Sequence, residues 1–204
     1  MAPYLQVMDY LGIGVFAASG ALLAAIKRLT FITFCFFAVA TGVGGGTIRD
    51  LLIGAPVFWV HQDWPLMVCL GAALAVWFSP LSRRFGTVLL WLDAVGLAAY
   101  ATYGAAKALA HGAALLPAFG LRVLTACAGG IIRDQLAHDR SILLRPELYV
   151  TAAAVSSGLL VAAVAAGLPI WGSALVATAA GFALRAAAIT RRWALPAYKP
   201  GAPA

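Results

Sequence analysis

Long apolar segments alternate with short polar ones along the whole chain. Each apolar segment approaches the roughly 20 residues that an α-helix needs to cross the hydrocarbon core of a bilayer. The pattern therefore predicts seven transmembrane helices joined by short loops. The predicted spans are residues 8–26, 29–48, 65–79, 87–110, 114–133, 148–168 and 170–189.

Composition supports an integral membrane protein. Hydrophobic residues make up 63% of the chain and charged residues only 10%, which leaves too little polar surface for a water-soluble globule. Lys27 and Arg28 follow the first apolar segment instead of preceding it, so we interpret that segment as a helix and not as a cleaved signal. The net charge of +7 is spread over membrane borders, which favours anionic lipid headgroups over nucleic acid as partners.

The basic residues also predict an orientation. They fall mainly in alternate connections, which the positive-inside rule assigns to the cytoplasm. The protein is therefore expected in the cell (inner) membrane with its N-terminus outside and its C-terminus inside. The basic residues of these connections are Lys27 and Arg28, Arg83 and Arg84, Arg133, Arg140 and Arg145, and Arg191, Arg192 and Lys199.

The chain contains an internal duplication at an offset of 84 residues. The run Gly44-Gly45-Gly46-Thr47-Ile48-Arg49-Asp50 returns as Ala128-Gly129-Gly130-Ile131-Ile132-Arg133-Asp134, and Asp9 in the first span matches Asp93 in the fourth. Because each copy holds three spans, an odd number, the second must enter the membrane from the opposite side. The sequence predicts an all-α protein with a 3+3 inverted repeat and one additional C-terminal helix. The expected units are residues 1–84, 85–168, 169–190 and a cytoplasmic tail, 191–204.

Inverted repeats of this kind are typical of channels and transporters, which hold their site between the two halves. A receptor or enzyme scaffold that retains the duplication as a relic is the alternative. No Ser/His/Asp, Cys/His or paired-carboxylate group indicates catalysis, and neither a cofactor nor a metal is expected. Cys35, Cys69 and Cys127 lie in apolar spans without ligand spacing, so we interpret them as buried small residues.

The glycine runs admit two interpretations. Gly42-x-x-x-Gly46 could let two helices pack closely. However, consecutive glycines cost about 1 kcal/mol each in a helix interior, and this favours a kink or an unwound segment. Unwound carbonyls at membrane depth require protein or water around them and are suitable ligands for cations. Gly44, Gly45, Gly46, Gly129 and Gly130 are thus candidate pore residues.

Four charged residues follow the glycine runs: Arg49, Asp50, Arg133 and Asp134. Charges at this depth need a partner or water. Adjacent residues of a helix do not face each other, so each Arg is expected to pair with something other than its neighbouring Asp. The pairs Arg49–Asp134 and Arg133–Asp50, or a separate vestibule on each side, are two possibilities. A third is that each Arg reaches the interface as a snorkelling side chain.

Lys107 in span four replaces Leu23 of the first repeat and breaks the pseudo-symmetry. It could act as a gate or brake for cations, or it could reach the outer headgroups. Asp9 and Asp93 open spans one and four, where the simplest expectation is that they cap those helices.

Several of these motifs together resemble a known family. They are residues 44–52, residues 56–60, Lys107 and residues 129–134. At these positions the chain is similar to the prokaryotic branch of the trimeric intracellular cation channels, whose bacterial members are also described as glycine transporters. The resemblance implies the 3+3+1 helix architecture, a homotrimer with one pore in each protomer, glycine kinks in spans two and five, and permeation of monovalent cations, chiefly potassium.

Our principal hypothesis is a passive channel for potassium, with sodium as a second candidate ion, lined by spans one, two, four and five. Lys107, Arg49 and Arg133 would limit conduction, and the absence of an acidic ring predicts weak selectivity. Hydroxyls would replace part of the water shell of the ion; the candidates are Ser19, Thr41, Thr102, Thr125 and Ser156.

Two other hypotheses remain open. In a carrier for a small zwitterion such as glycine, the carboxylate would bind a helix N-terminus exposed after Gly46 or Gly130, and the ammonium would bind Asp50 or Asp134. A structural or sensor protein would move no solute.

Overall fold

The computed structural model describes residues 3–79, 85–110, 112 and 114–196. Within these ranges the fold is all-helical, and the predicted all-α architecture is confirmed. The helices are α1 (Pro3–Ile26), α2 (Phe31–Leu52), α3 (Trp64–Trp77), α4 (Phe85–Ala110), α5 (Leu115–Leu136), α6 (Tyr149–Ala165) and α7 (Ile170–Arg191). Two short 3-10 turns, Phe58–Val60 and Ile142–Leu144, precede α3 and α6.

Burial is distributed as expected for a multi-pass membrane protein. Large apolar side chains face outward, such as Ile32 (76% exposed) and Leu116 (78%), whereas charged ones such as Arg49 (0%) and Arg133 (2%) lie inside. Four helices, α1, α2, α5 and α7, are long and apolar enough to cross a bilayer. At 14 residues, α3 spans only about 21 Å, less than the roughly 30 Å hydrocarbon core.

The crossing of α1 and α4 shows the inversion directly. The Tyr100 ring of α4 packs on Gly12 of α1, and the Phe16 ring of α1 packs on Gly96 of α4. The two rings meet edge to face at 5.4 Å. Residue numbers rise along α1 as they fall along α4, so the helices are antiparallel. The 84-residue offset converts each contact into the other, as a two-fold axis between the repeats requires.

The ends of the helices repeat in the same way. Arg28 after α1 and Gly112 after α4 adopt left-handed backbone conformations, with φ of 56° and 78°. Gly54 after α2 and His138 after α5 do the same, with φ of 65° and 52°. The two residues of each pair are 84 positions apart, which is the repeat offset. Corresponding helices of the two halves therefore end in the same left-handed conformation. The expected boundary between the halves, residue 84, lies outside the described residues.

Loops of both repeats meet at one end of the molecule. An ion pair between Lys27 Nζ and Asp139 Oδ1 joins the α1–α2 connection to the α5–α6 connection. The end of α7 joins them, because the Leu195 amide donates to the Pro146 carbonyl. Exposed basic residues gather at this end; they are Lys27, Arg28, Arg140, Arg145, Arg191 and Arg192.

The seventh helix packs on the second repeat. Its Gly181 lies so close to α6 that a methyl group there would come within 2.7 Å of the Ser156 Cβ atom. The guanidinium of Arg185, buried at 1% exposure, forms an ion pair of 2.6 Å with Glu147. Both contacts hold α7 against the core formed by the duplicated helices.

Candidate functional site

Glycines join α2 and α5 at the centre of the fold. A methyl group at Gly45 would lie 2.5 Å from the Thr125 carbonyl oxygen, and one at Gly129 would lie 2.9 Å from the Thr41 carbonyl oxygen. These two contacts are exchanged by the repeat offset, and the helices run antiparallel. Only glycine permits two backbones to approach this closely.

The glycine runs are not unwound, so that form of the predicted break is wrong, while a kink within a continuous helix stays a prediction. The backbone is α-helical without interruption from Phe31 to Leu52 and from Leu115 to Leu136. Contacts with several neighbouring elements explain why so many glycines are used. Gly46 packs on the Phe58 ring, Gly130 on the Tyr149 hydroxyl, and Gly44 on the Ile132 side chain. These contacts support a packing role, the first of the two interpretations.

The two Arg-Asp pairs are held within their own helices. Arg49 Nε donates to Asp50 Oδ1 at 2.8 Å, and Arg133 donates to Asp134 Oδ1 from Nε at 3.0 Å and from Nη2 at 2.7 Å. The prediction that each Arg avoids its neighbour is wrong. The rule concerns the directions of adjacent Cβ atoms, and a long guanidinium side chain can bend back to reach the next carboxylate.

Arg133 also reaches the first and fourth helices. Its Nη1 donates to Asp93 Oδ1 at 2.5 Å and to Ser19 Oγ at 3.2 Å. The crossed pairs of the sequence analysis do not occur, because Arg133 binds Asp93 instead of Asp50, and Asp134 binds Arg133 instead of Arg49. The snorkelling interpretation is also wrong, since Arg49 is 0% exposed and Arg133 2%. Arg133 lies within α5, which ends at Leu136, and not in the following loop.

The expectation that Asp9 and Asp93 cap their helices is wrong as well. α1 begins at Pro3 and α4 at Phe85, so both carboxylates lie in the second turn or deeper. Asp9 is 4% exposed and Asp93 1%. Asp9 interacts electrostatically with Arg49, as its repeat counterpart Asp93 does with Arg133. Each half thus contains one buried arginine between two carboxylates.

Each cluster also anchors the 3-10 turn that follows it. Asp50 Oδ2 accepts a hydrogen bond from the Phe58 amide at 3.1 Å, and Asp134 Oδ2 accepts one from the Ile142 amide at 2.7 Å. The Phe58 ring lies 5.8 Å from the Arg49 guanidinium carbon. The sequence analysis missed these anchors, although the spacing of eight residues is the same in both copies.

Arg122 is a buried charge that the sequence analysis did not single out. It lies inside α5 and is 0% exposed. Its Nη2 donates to Ser156 Oγ at 2.9 Å, while Nε and Nη1 have no hydrogen-bond partner among the described residues. The available signal was an arginine in the middle of a predicted span whose other charge, Arg133, is at its end.

The predicted hydroxyl residues are all buried where they are described. Ser19 donates to the Phe16 carbonyl, and Thr125 donates to the Leu121 carbonyl at 2.6 Å. Thr41 Oγ1 has no hydrogen-bond partner in the part of the chain that the structure describes. The side chains of Lys107 and Thr102 lie outside the described residues, so their predicted roles stay predictions.

We expect the substitution Tyr100→Phe to destabilise the protein by about 1 kcal/mol, since it removes one buried hydrogen bond and keeps the ring. The Tyr100 hydroxyl donates to the Gly42 carbonyl at 2.8 Å and so ties α4 to α2. Tyr149→Phe is the matched control, because the buried Tyr149 hydroxyl lacks a hydrogen-bond partner among described residues. The check is the free energy of unfolding in detergent. Equal losses for both variants would contradict the prediction.

Known proteins share both the duplicated sequence and the fold of this chain. A family model described as "Glycine transporter" matches residues 6–80 and 90–165, which are essentially the two repeats. The structure of a trimeric intracellular cation (TRIC) channel orthologue from Rhodobacter sphaeroides is 39% identical, covers 94% of this chain and 100% of its own, and superposes with a TM-score of 0.90. The chain belongs to the prokaryotic TRIC family.

Other members of the TRIC family match over most of their length. A prokaryotic TRIC channel crystallised in 0.5 M KCl is 27% identical, with a TM-score of 0.87 over 96% of this chain and 100% of its own. A UPF0126 membrane protein of Vibrio cholerae is 34% identical over 95% of this chain and 82% of its own. The inner membrane protein YadS of Escherichia coli is 41% identical over 71% of this chain and 72% of its own. The family resemblance inferred from the glycine and Arg-Asp motifs is confirmed.

Proposed function

We propose that this TRIC-family protein is a passive channel for monovalent cations, with potassium as the principal ion and sodium as the second. The conduction path lies inside each protomer, between α1, α2, α4 and α5. The observation that carries the proposal is the match to the Rhodobacter sphaeroides cation channel orthologue over the whole of that chain at a TM-score of 0.90.

Buried polar groups support a hydrated interior. Thr41 Oγ1, Ser157 Oγ and two nitrogens of Arg122 are buried without hydrogen-bond partners among the described residues. A polar group inside a membrane protein costs several kcal/mol unless it is hydrogen-bonded, so water is the natural partner for these atoms. Thr41 lies at the contact between α2 and α5, so water bound there would occupy the junction between the halves that a cation path requires.

The charged clusters suit weak selection of cations. The Arg49–Asp50 pair is three residues or fewer from the end of α2, and Arg133–Asp134 is as close to the end of α5. Because these helices are antiparallel, one cluster lies towards each membrane face. Each arginine is balanced by carboxylates, so neither mouth carries a strong net field.

We extend the proposal to assembly and orientation. The Rhodobacter sphaeroides relative is described as trimeric, and we assign a homotrimer to this chain. The exposed basic residues that include Lys27, Arg140 and Arg191 mark the cytoplasmic face, where they meet anionic lipid headgroups. The C-terminus is then inside and the N-terminus outside.

A glycine carrier is the second candidate, favoured by the description of the matching family model. The structure contains few groups that could bind glycine as this carrier requires. α2 and α5 are continuous, so neither Gly46 nor Gly130 opens a helix N-terminus for a carboxylate. Asp50 and Asp134 already bind arginines and turn amides, which leaves them poorly placed for an ammonium group.

The test is potassium flux from liposomes that contain the purified protein, measured with and without glycine. We expect rapid flux that follows the potassium gradient, does not saturate and ignores glycine. Saturable glycine uptake without potassium leak would support the carrier and contradict the channel.

A further inference from the structure

Arg122 occupies a position where the first repeat has an alanine. Arg122, Gly129 and Arg133 are separated by seven and four residues, so they share one face of α5. Their counterparts on α2 are Ala38, Gly45 and Arg49. Arg122 and Ala38 are both 0% exposed. The second repeat therefore carries a charge at a place where the first repeat is apolar.

Arg122 also differs from the other buried arginines that the structure describes. Arg49 and Arg133 bind carboxylates of their own half, and Arg185 binds Glu147. Among the described residues, Arg122 binds the neutral hydroxyl of Ser156 and no carboxylate. Its charge is thus uncompensated by any carboxylate among the described residues.

An uncompensated charge at this depth acts over a distance. α5 extends from Leu115 to Leu136, which puts Arg122 about two turns from its start, inside the span and one turn before Thr125. The field of a charge in a medium of low dielectric decreases slowly, and only ions in the water-filled path screen it. Arg122 can therefore repel a cation passing the α2–α5 junction without touching it.

We propose that Arg122 limits cation conductance and lowers the preference of the channel for cations over anions, by placing one fixed positive charge in the second half of the conduction path. This inference rests on the proposed channel function. Ser156 acts as a positioning residue, since its hydroxyl holds the guanidinium from α6.

The test uses single-channel recording of the whole protein with Arg122 replaced by Gln, Met or Lys. In 0.1 M KCl we expect Arg122→Gln and Arg122→Met to raise conductance about 3- to 10-fold, with the increase falling below about 2-fold in 1 M KCl as salt screens the charge. The reversal potential in a tenfold KCl gradient should shift towards that of potassium. Arg122→Lys keeps the charge and should resemble the wild type.

A purely structural role of Arg122 would not make the conductance of the two neutral variants higher than that of Arg122→Lys and the wild type. The double variant Arg185→Gln/Glu147→Gln is the matched control, because it removes a buried arginine together with the carboxylate that balances it, and we expect it to leave conductance unchanged. Equal conductance of the wild type and both neutral variants would overturn the role of Arg122 alone. A wild-type protein that conducts no cations would overturn the channel function itself. Arg122→Met adds no polar atom of its own to the apolar span, so it provides a second neutral variant if Arg122→Gln does not fold.

Discussion

Replacing Arg133 with leucine is expected to destabilise the protein by about 3–5 kcal/mol. The guanidinium is 2% exposed and lies between Asp93 and Asp134, with Ser19 as a further partner. Without it, two carboxylates remain buried in the membrane with no cation between them. The loss should appear as a lower melting temperature in detergent and as less assembled protein.

Two variants separate this charge effect from a general sensitivity of α5. Arg140→Leu removes an exposed arginine of the following loop and should change stability by less than about 0.5 kcal/mol. Adding Asp93→Asn to Arg133→Leu should restore part of the loss, because one orphaned charge disappears. A double variant less stable than Arg133→Leu would contradict the pairing.

Replacing Gly45 with leucine should destabilise the protein by about 3 kcal/mol or more, since α2 and α5 must separate. The first added carbon alone would lie 2.5 Å from the Thr125 carbonyl oxygen, which belongs to the backbone and cannot turn away. Gly129→Leu should behave in the same way against Thr41. The measurements are the free energy of unfolding in detergent and the yield of assembled protein.

Gly120→Leu is the control within the same helix as Gly129. Nothing among the described residues lies within 4 Å of a Cβ atom built at Gly120, which is exposed, so this variant should fold and assemble as the wild type does. If Gly45→Leu retained wild-type stability and Gly120→Leu lost it, the packing account of the glycine runs would be refuted.

The duplication in the sequence was sufficient to predict the inversion. An odd number of spans in each copy forces antiparallel halves, and the crossing of Phe16 and Tyr100 is the direct result. The hydrophobic pattern located the helices for the same reason, since lipid accepts only apolar side chains on the outer surface. Ends were less predictable: α1 and α4 start before the aspartates that were expected to cap them.

The misjudged features depend on neighbours that a sequence does not display. A run of glycines predicts an unwound segment when a helix is considered alone, whereas a second helix at contact distance makes the same run a packing surface. The sequence indicated that Arg133 needs a partner at its depth in the membrane. It did not identify Asp93, which lies 40 residues earlier on another helix. Arg122 was overlooked because one polar residue barely alters an apolar span.

The central claim, a cation path inside the protomer at the α2–α5 junction, is tested most directly by silver block of a Thr41→Cys variant. Silver ions react with thiols and enter water-filled paths open to small cations. The background replaces Cys35, Cys69 and Cys127, and Ile32→Cys, whose native side chain is 76% exposed on the outer surface, is the control. We predict that silver abolishes potassium current through Thr41→Cys and leaves the control conducting. Unchanged current through Thr41→Cys would contradict a path at this junction.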